Sequence, residues 1–566
     1  MKLKTALMGA AATLAFAPAA FAERGADGNV KVLYSQAVSI MNAYLSSGTK
    51  DVEVGSLVLE PLAGFDNEGN VIPRLVTEIP SVENGGISED LTTITWKITP
   101  GLLWSDGTPV TAADAVFSYK YCTDPAGGCA QAARYEGIQS VEAIDDLTVK
   151  ITWTAPKPNP FTAFVGATSP ILQAAQFANC LGTAAPTCTE QNFKPVGTGP
   201  FMVTDFKVND VVELAANPNY RDAAKPRFAT MTVKGGGDAA GAARAVMETG
   251  EFDYAWNTQI NPELQAQMEK GGRGTFVSAF GTLVERIEMN MTNPSADLPE
   301  GERSTAMHPH PFLSDIRVRQ ALSKAIDREL LVEVGYGNAG RATCNLVPAP
   351  ALYASPNTDC IAQDMEGAKA LLDEAGWTVG AGGIREKDGK PLKILYQTSV
   401  NPVRQDFQAL IKGWWNELGV DVELKSIDGG VFFGGDPGSP DTFQKFYADV
   451  EMYANNFDGT DPEPYLAQYL CDKAPSPANG WQGENVNRFC DPAYDALVAE
   501  LAQTREMDKR GEIAIRLNEM LTKDSYVIVP LVDRGRLSAH STTLGGVVLN
   551  TWDSELWNAS DWFRIK

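Results

Sequence analysis

The sequence predicts a mixed α/β fold built from more than one packed unit. Three observations predict it. Period-two stretches that read as half-buried strands alternate unevenly with period-3.6 stretches that read as helices. No internal repeat or low-complexity segment is present. The chain has 566 residues, 44% of them hydrophobic, which is enough apolar material for a large core and too long for one ordinary core.

The elements follow in order. The segment "TTITWKIT" places Ile94, Trp96 and Ile98 on one face and Thr95 and Lys97 on the other. The segment "DLTVKITW" does the same with Leu147, Val149, Ile151 and Trp153. Both read as strands with one buried face. Between them "TPVTAADAVFSYKY" reads as a helix that Thr111 caps, with Asp114 in the first turn. The run "TMTVKGGGDAAGAARAVMETGEFD" reads as strand, glycine turn and helix. Further on, "SDIRVRQALSKAIDRELLVEV" reads as one long helix capped by Ser314, with Val318, Leu322, Ile326 and Leu330 forming its core stripe. Gly376 and Gly419 close the helices "MEGAKALLDEAG" and "PVRQDFQALIKGWWNELG". The run "MDKRGEIAIRLNEMLTKD" is another helix, and "YVIVPLV" reads as a buried strand.

Residues 1–22, "MKLKTALMGAAATLAFAPAAFA", have a basic start, a short apolar run and a small-x-small ending at Ala20-Phe21-Ala22, the pattern of a cleavable signal peptide. The apolar run is too short to span a bilayer, and no later run reaches spanning length. The first cysteine is Cys122, which argues against an N-terminal lipid anchor. The eight cysteines fall into four neighbouring couples: Cys122 and Cys129, Cys180 and Cys188, Cys344 and Cys360, Cys471 and Cys490. An even count in an exported chain suggests disulfides. Sequence does not give the connectivity; neighbour pairing is the simplest arrangement. No couple has zinc-knuckle spacing. The formal net charge is −24, and becomes −26 once Lys2 and Lys4 leave with the leader. Such a surface repels nucleic acid and anionic lipid.

The usual catalytic arrangements are missing. There is no G-x-S-x-G, H-E-x-x-H or G-x-x-x-x-G-K-[ST]. The three histidines are His308, His310 and His540, and the two in "MHPHP" read as exposed imidazoles on a loop. Gly235, Gly237 and Ala240 match G-x-G-x-x-[GA], but Asp253 precedes the next strand, "YAW", where a ribose-binding acid would follow it. A tight turn into a helix accounts for these glycines. Paired carboxylates for sugar hydrolysis are not singled out among 71 acids. The stretch "EMYANNFDGTDPEPYLAQYL" remains, and its Asp458-Gly459-Thr460-Asp461-Pro462 core reads as a loop presenting carboxylates beside aromatic rings.

Several segments in order resemble the extracytoplasmic solute-binding proteins of ABC importers, in the peptide/nickel-binding family, family 5. They are "LEPLAGFDNEGNVIPRLV", "LLWSDGTPVTAADAVFSYKY", "VGTGPF", "ARAVMETGEFDYAW", "PFLSDIRVRQALSKAIDRELL", "AKALLDEAGW" and "FDGTDPEPYL". The resemblance spans nearly all of residues 30–530. It implies a bilobal periplasmic-binding-protein fold of type II, large class, with an extra subdomain on the first lobe. The implied first lobe is 23–64, 191–285 and 525–566, the extra subdomain 65–190, and the second lobe 286–524. The implied function is a periplasmic receptor, not an enzyme and without cofactor or metal. It would capture an oligopeptide or dipeptide between its lobes and hand it, as a monomer, to transmembrane permease subunits. In the family an aspartate opening such a turn pairs with the ligand ammonium, and Asp458 holds that place, with Asp461 bracing the turn. A tryptophan often found three residues earlier is here Asn455, which makes an oligosaccharide, opine or other small cationic metabolite the alternative ligand. Tyr453 and Phe457 are the expected aromatic lining. Ile40, Met41 and Asn42, in "SQAVSIMNAYLSSG", are expected to line the cleft from the first lobe, where backbone groups would pair with an extended peptide. A secreted hydrolase on the same scaffold is the reading from another class, and the empty motif search argues against it.

Overall fold

A computed structural model describes residues 23–299, 301–457 and 459–566. The expected signal peptide and Asp458 lie outside the described residues. Two large mixed sheets organise the chain. The first runs in the order Gly274–Ala279, Arg536–Ser541, Tyr254–Trp256, Asn29–Tyr34, Thr230–Gly235, Val211–Ala216 and Phe201–Lys207. Its central strand, Asn29–Tyr34, pairs in parallel with both neighbours, and the outer pairings are antiparallel. The second sheet runs Gly340–Ala342, Ile528–Arg534, Val284–Met289, Val450–Asn455, Lys393–Ser399 and Asp421–Ile427. A separate three-stranded antiparallel sheet, Thr93–Lys97, Thr148–Trp153 and Ile138–Asp145, carries its own core around Trp96, Ile151 and Phe164.

The chain passes between the large sheets at two adjacent places. Residues 280–283 join Gly274–Ala279 to Val284–Met289, and Gly535 alone joins Ile528–Arg534 to Arg536–Ser541. This corrects the expected boundary at 525. All seven residues of Ile528–Arg534 are buried, and they pair with Val284–Met289 inside the second sheet. The apolar run Ile528–Val532 suits a central strand, so the return to the first sheet begins ten residues later.

Local signals explain most elements. Thr111 and Asp114 form a capping box at the start of Ala112–Thr123, and Asp114 Oδ2 accepts the Thr111 N–H at 2.9 Å. Strand, turn and helix follow one another through Gly236 and Gly237, both left-handed at φ 96° and 92°. Gly197, in the "VGTGPF" segment, lies so close to Val58 that a Cβ would meet its carbonyl oxygen at 1.9 Å. One expected helix is two. It breaks into Ile316–Lys324 and Arg328–Gly335 because Asp327 turns its carboxylate to the Leu330 N–H at 3.0 Å and caps a new start. The break resets the phase, so Val318, Leu322 and Ile326 are fully buried while Leu331 takes the core place expected of Leu330. Asp315, not Ser314, caps the first piece.

The cysteines form four disulfides, Cys122–Cys129, Cys180–Cys188, Cys344–Cys360 and Cys471–Cys490. The "MHPHP" reading needs correcting at one position. His310 is buried, its Nε2 lies 2.9 Å from Asp449 Oδ1, and its Nδ1 accepts the Leu313 N–H at 3.0 Å. That ring organises a loop and is not exposed to solvent.

Candidate functional site

The sheets close on each other over a cavity of about 320 Å³. Closure is held by direct contacts. The Gly459 N–H donates to the Trp552 carbonyl at 2.7 Å, Lys157 pairs with Glu463 at 2.8 Å, and Lys473 pairs with Glu136. Gly459 is left-handed at φ 77°, and a Cβ there would meet the Phe65 ring at 2.7 Å. Glycine is therefore required twice over at this point of the turn.

The stretch from Glu451 to Leu470 supplies much of one wall. Its first part is not loop: Val450–Asn455 is a strand, and only the residues after it turn. Tyr453 is buried in the wall, with the Arg286 guanidinium 4.9 Å from its ring centre and Phe443 5.4 Å away on another side. Phe457 packs on Tyr465 with ring centres 5.3 Å apart, and both face the cavity. Asn455 also lines it, half-buried, and its Oδ1 accepts the Asn456 N–H at 2.9 Å. Asp461 accepts the Glu463 N–H at 3.0 Å and pairs with Arg510 at 2.5 Å, which fixes the turn. Burial raises the Asp461 carboxyl, and Arg510 opposes the rise.

The first-lobe expectation needs correcting. Ile40, Met41 and Asn42 are not in the cavity wall. Met41 sits in the core beneath the first sheet, and Asn42 is fully buried, donating to Tyr121 and Asn192 at 3.0 Å each. Ile40 is half-buried, and its N–H points to Asp51 Oδ1 at 3.4 Å. The segment turns inward to cap a short helical turn, so Gln36 and Ser47–Thr49 face the cavity in its place.

Charged residues that the sequence reading did not single out complete the walls. On the second-sheet side Arg286 donates to Glu288 at 2.6 Å, to Tyr465 at 2.9 Å and to Tyr469 at 3.2 Å. Arg404 donates to Glu285 at 2.6 Å and to Ser399 at 2.7 Å. Burial alone would raise the Glu285 carboxyl, but Arg404 and Arg534 outweigh it and hold the group below its ordinary range. On the first-sheet side Thr49–Gly55 presents Glu53, which accepts from Arg536 at 2.6 Å and from Tyr34 at 3.2 Å. Glu555 stands beside it, and Trp256 stacks on Tyr34 with ring centres 4.5 Å apart. Burial pushes the Glu53 carboxyl up to about 8, Arg536 opposes this, and Glu555 adds to it. The signal for Glu285, Arg286, Glu288, Arg534 and Arg536 was in the sequence as "VERIEM" and Arg534-Gly535-Arg536: charges inside strand-like runs, where a buried charge needs a partner or a guest.

Two sheets, two adjacent crossings and a polar and aromatic cavity between them define a two-lobed binding protein. Comparison with known proteins gives the family. The model of bacterial extracellular solute-binding proteins, family 5 Middle, matches residues 70–476, and the chain belongs to that family. It is 28% identical over 385 residues to Protein XP55 of Streptomyces lividans, an alignment covering 65% of this chain and 64% of XP55. It is 25% identical over 547 residues to the glutathione-binding protein GsiB of Escherichia coli, covering 94% of both. Among solved structures it resembles the oligopeptide-binding protein AppA of Bacillus subtilis in complex with a nonapeptide, with a TM-score of 0.80 and 20% identity over 96% of this chain and 100% of AppA. The chain is thus an extracytoplasmic solute-binding protein and not an enzyme.

Proposed function

We propose that this chain captures short peptides in the periplasm and delivers them to the transmembrane permease subunits of an ABC importer, acting as a monomer. One observation carries the reading. The cavity lies between the two lobes, has the size of a small-ligand site, and mixes aromatic surface with buried charge of both signs. A short peptide supplies the matching features: amide groups, apolar side chains and two charged ends. Relatives named for oligopeptide and glutathione binding support the class. Residues 1–22 are the proposed leader, and N-terminal sequencing of the exported protein should begin at Glu23.

Asp458 is the proposed partner of the ligand's α-ammonium, flanked in sequence by the cavity-lining Phe457 and Gly459. Titration calorimetry with di-, tri- and tetrapeptides tests both points. Asp458→Ala should weaken binding of free-amine peptides by roughly 2–5 kcal/mol, because the ammonium would stay buried without its counter-charge. Unchanged affinity removes that role, and the absence of binding by any peptide removes the peptide reading. A second reading keeps the receptor role and replaces the peptide with a small cationic metabolite. It is favoured by Asn455, a polar amide in the wall where the family resemblance implies tryptophan. Mass spectrometry of the ligand that co-purifies separates the two.

A further inference from the structure

The first-sheet wall holds a carboxylate that the protein leaves open. Glu555 is 2% exposed and faces the cavity. Its Oε1 accepts the hydroxyls of both Tyr254 and Ser538. Among the described residues no donor reaches its Oε2. The neighbouring Glu53 is equally buried, its Oε1 accepts the Glu555 N–H at 3.3 Å, and both glutamates line the same cavity. An acceptor oxygen that meets the cavity without a protein donor is available to a ligand donor, and a hydrogen bond made there to a charged group is stronger than one between neutral groups. Trp256 offers its indole on the same wall, a surface that attracts cations.

We propose that Glu555, with Glu53 and Trp256, receives a positively charged side chain of the ligand, so that the preferred ligands are short peptides containing lysine or arginine. The inference rests on the peptide-receptor reading and adds a second cation subsite to it, on the wall opposite Phe457 and Gly459.

A proton moves when this subsite fills. In the empty site the groups facing Glu53 are Arg536, Glu555, Tyr34 and Tyr254, while Lys50 and Asp51 on its own helix pair with each other at 2.8 Å. Two glutamates share one nearby guanidinium in a dehydrated wall, and Glu53 keeps its proton near neutral pH. An arriving ammonium or guanidinium stabilises the second carboxylate. The O–H bond of Glu53 breaks, the proton leaves to buffer, and the ligand cation takes over its charge. The net charge of the filled subsite equals that of the empty one.

Calorimetry with matched probes tests this. Ala-Lys-Ala and Lys-Ala are compared with the same peptides carrying norleucine, in phosphate and in Tris near neutral pH. The wild-type protein should favour the lysine member by about 30-fold or more. Binding enthalpies should differ between the two buffers for the lysine peptides only, which reports the released proton. Glu555→Gln should abolish the preference for the lysine member over the norleucine member. Glu53→Gln should abolish the buffer dependence, and this separates Glu53 from Glu484, a cavity-lining carboxyl that burial pushes up to about 7. The comparison in wild-type protein needs no variant to fold. If norleucine and lysine peptides bind equally, the inference is overturned and the peptide reading stands. If no peptide binds, the peptide reading falls, and the same measurement with arginine against citrulline decides the inference. Preference for arginine keeps it; no preference or no binding overturns it.

Discussion

The two walls of the cavity use buried charge in opposite ways. On the second-sheet wall two guanidinium groups are met inside the protein: Arg286 by Glu288 and two tyrosines, Arg404 by Glu285 and Ser399. Even Glu288 is met a second time, by the Asn487 amide at 2.7 Å. On the first-sheet wall two glutamates crowd one guanidinium, and one carboxylate oxygen faces the cavity. A closed network fixes geometry, since every member is satisfied before a ligand arrives. An open acceptor is completed only by the guest. The difference separates residues that hold the site in shape from residues that select what enters.

The largest effect that would test this division is the loss of Arg286. Arg286→Met leaves Glu288 buried with its main counter-charge gone, and should cost about 3–5 kcal/mol in urea unfolding. The same experiment on the open wall should look different, because Glu555→Gln retains an acceptor for Tyr254 and Ser538 and should change ligand preference far more than stability. Comparable destabilisation by both variants would erase the distinction between the walls.

Next comes the tether of the second wall. Cys471–Cys490 closes a segment that carries the cavity residues Gln482, Gly483 and Glu484. Replacing both cysteines by serine should cost roughly 2–4 kcal/mol on the loop-entropy account. It should weaken ligand binding as well, because those residues would lose their anchor. Binding that survives intact would show that the segment only covers the wall.

A pH experiment sharpens the view of the first wall. The Glu53 carboxyl is pushed up to about 8 in the folded protein, against 4.5 when unperturbed. Between those values the folded state therefore holds the proton that the unfolded chain has lost. Stability attributable to Glu53 is present below the lower value and falls as pH rises through the window. Glu53→Gln should flatten that fall, by an amount on the order of a few kcal/mol across the window. Chemical denaturation at a series of pH values reads it, and an unchanged slope would mean that another group holds the proton.

How much of this was legible in the sequence follows from the range of each signal. Caps and periodicity act over a few residues, so Thr111, Gly376 and Gly419 announced their helix ends. The break at Asp327 was also local, but a continuous apolar stripe hid it, because Ile326 serves the core on either side of the break. Tyr453, Asn455, Phe457 and Asp461 reach one cavity from a single short stretch, which is why they could be named together from the sequence. Glu53, Trp256, Arg536 and Glu555 were missed because they come from a helix, two strands and a turn, and only the folded lobe brings them to one cavity. Ile40, Met41 and Asn42 were misplaced because their segment supplies both cavity and core, and sequence does not tell which residues turn inward.

The smallest expected effect comes from a residue outside the cavity wall and sets the scale for the others. Thr111→Ala removes the hydroxyl half of the capping box on Ala112–Thr123, in the region with the separate three-stranded sheet. It should cost about 1 kcal/mol, the usual value of such a cap. Asp114 limits the loss, because its Oδ1 still accepts the Ala174 N–H at 2.9 Å and its Oδ2 the Thr111 N–H. Ligand affinity should not move, since neither large sheet depends on this helix start. A Thr111→Ala protein that lost affinity along with its stability would show that the third region governs closure over the ligand, and the selectivity assigned to the open wall would then have to be divided between them.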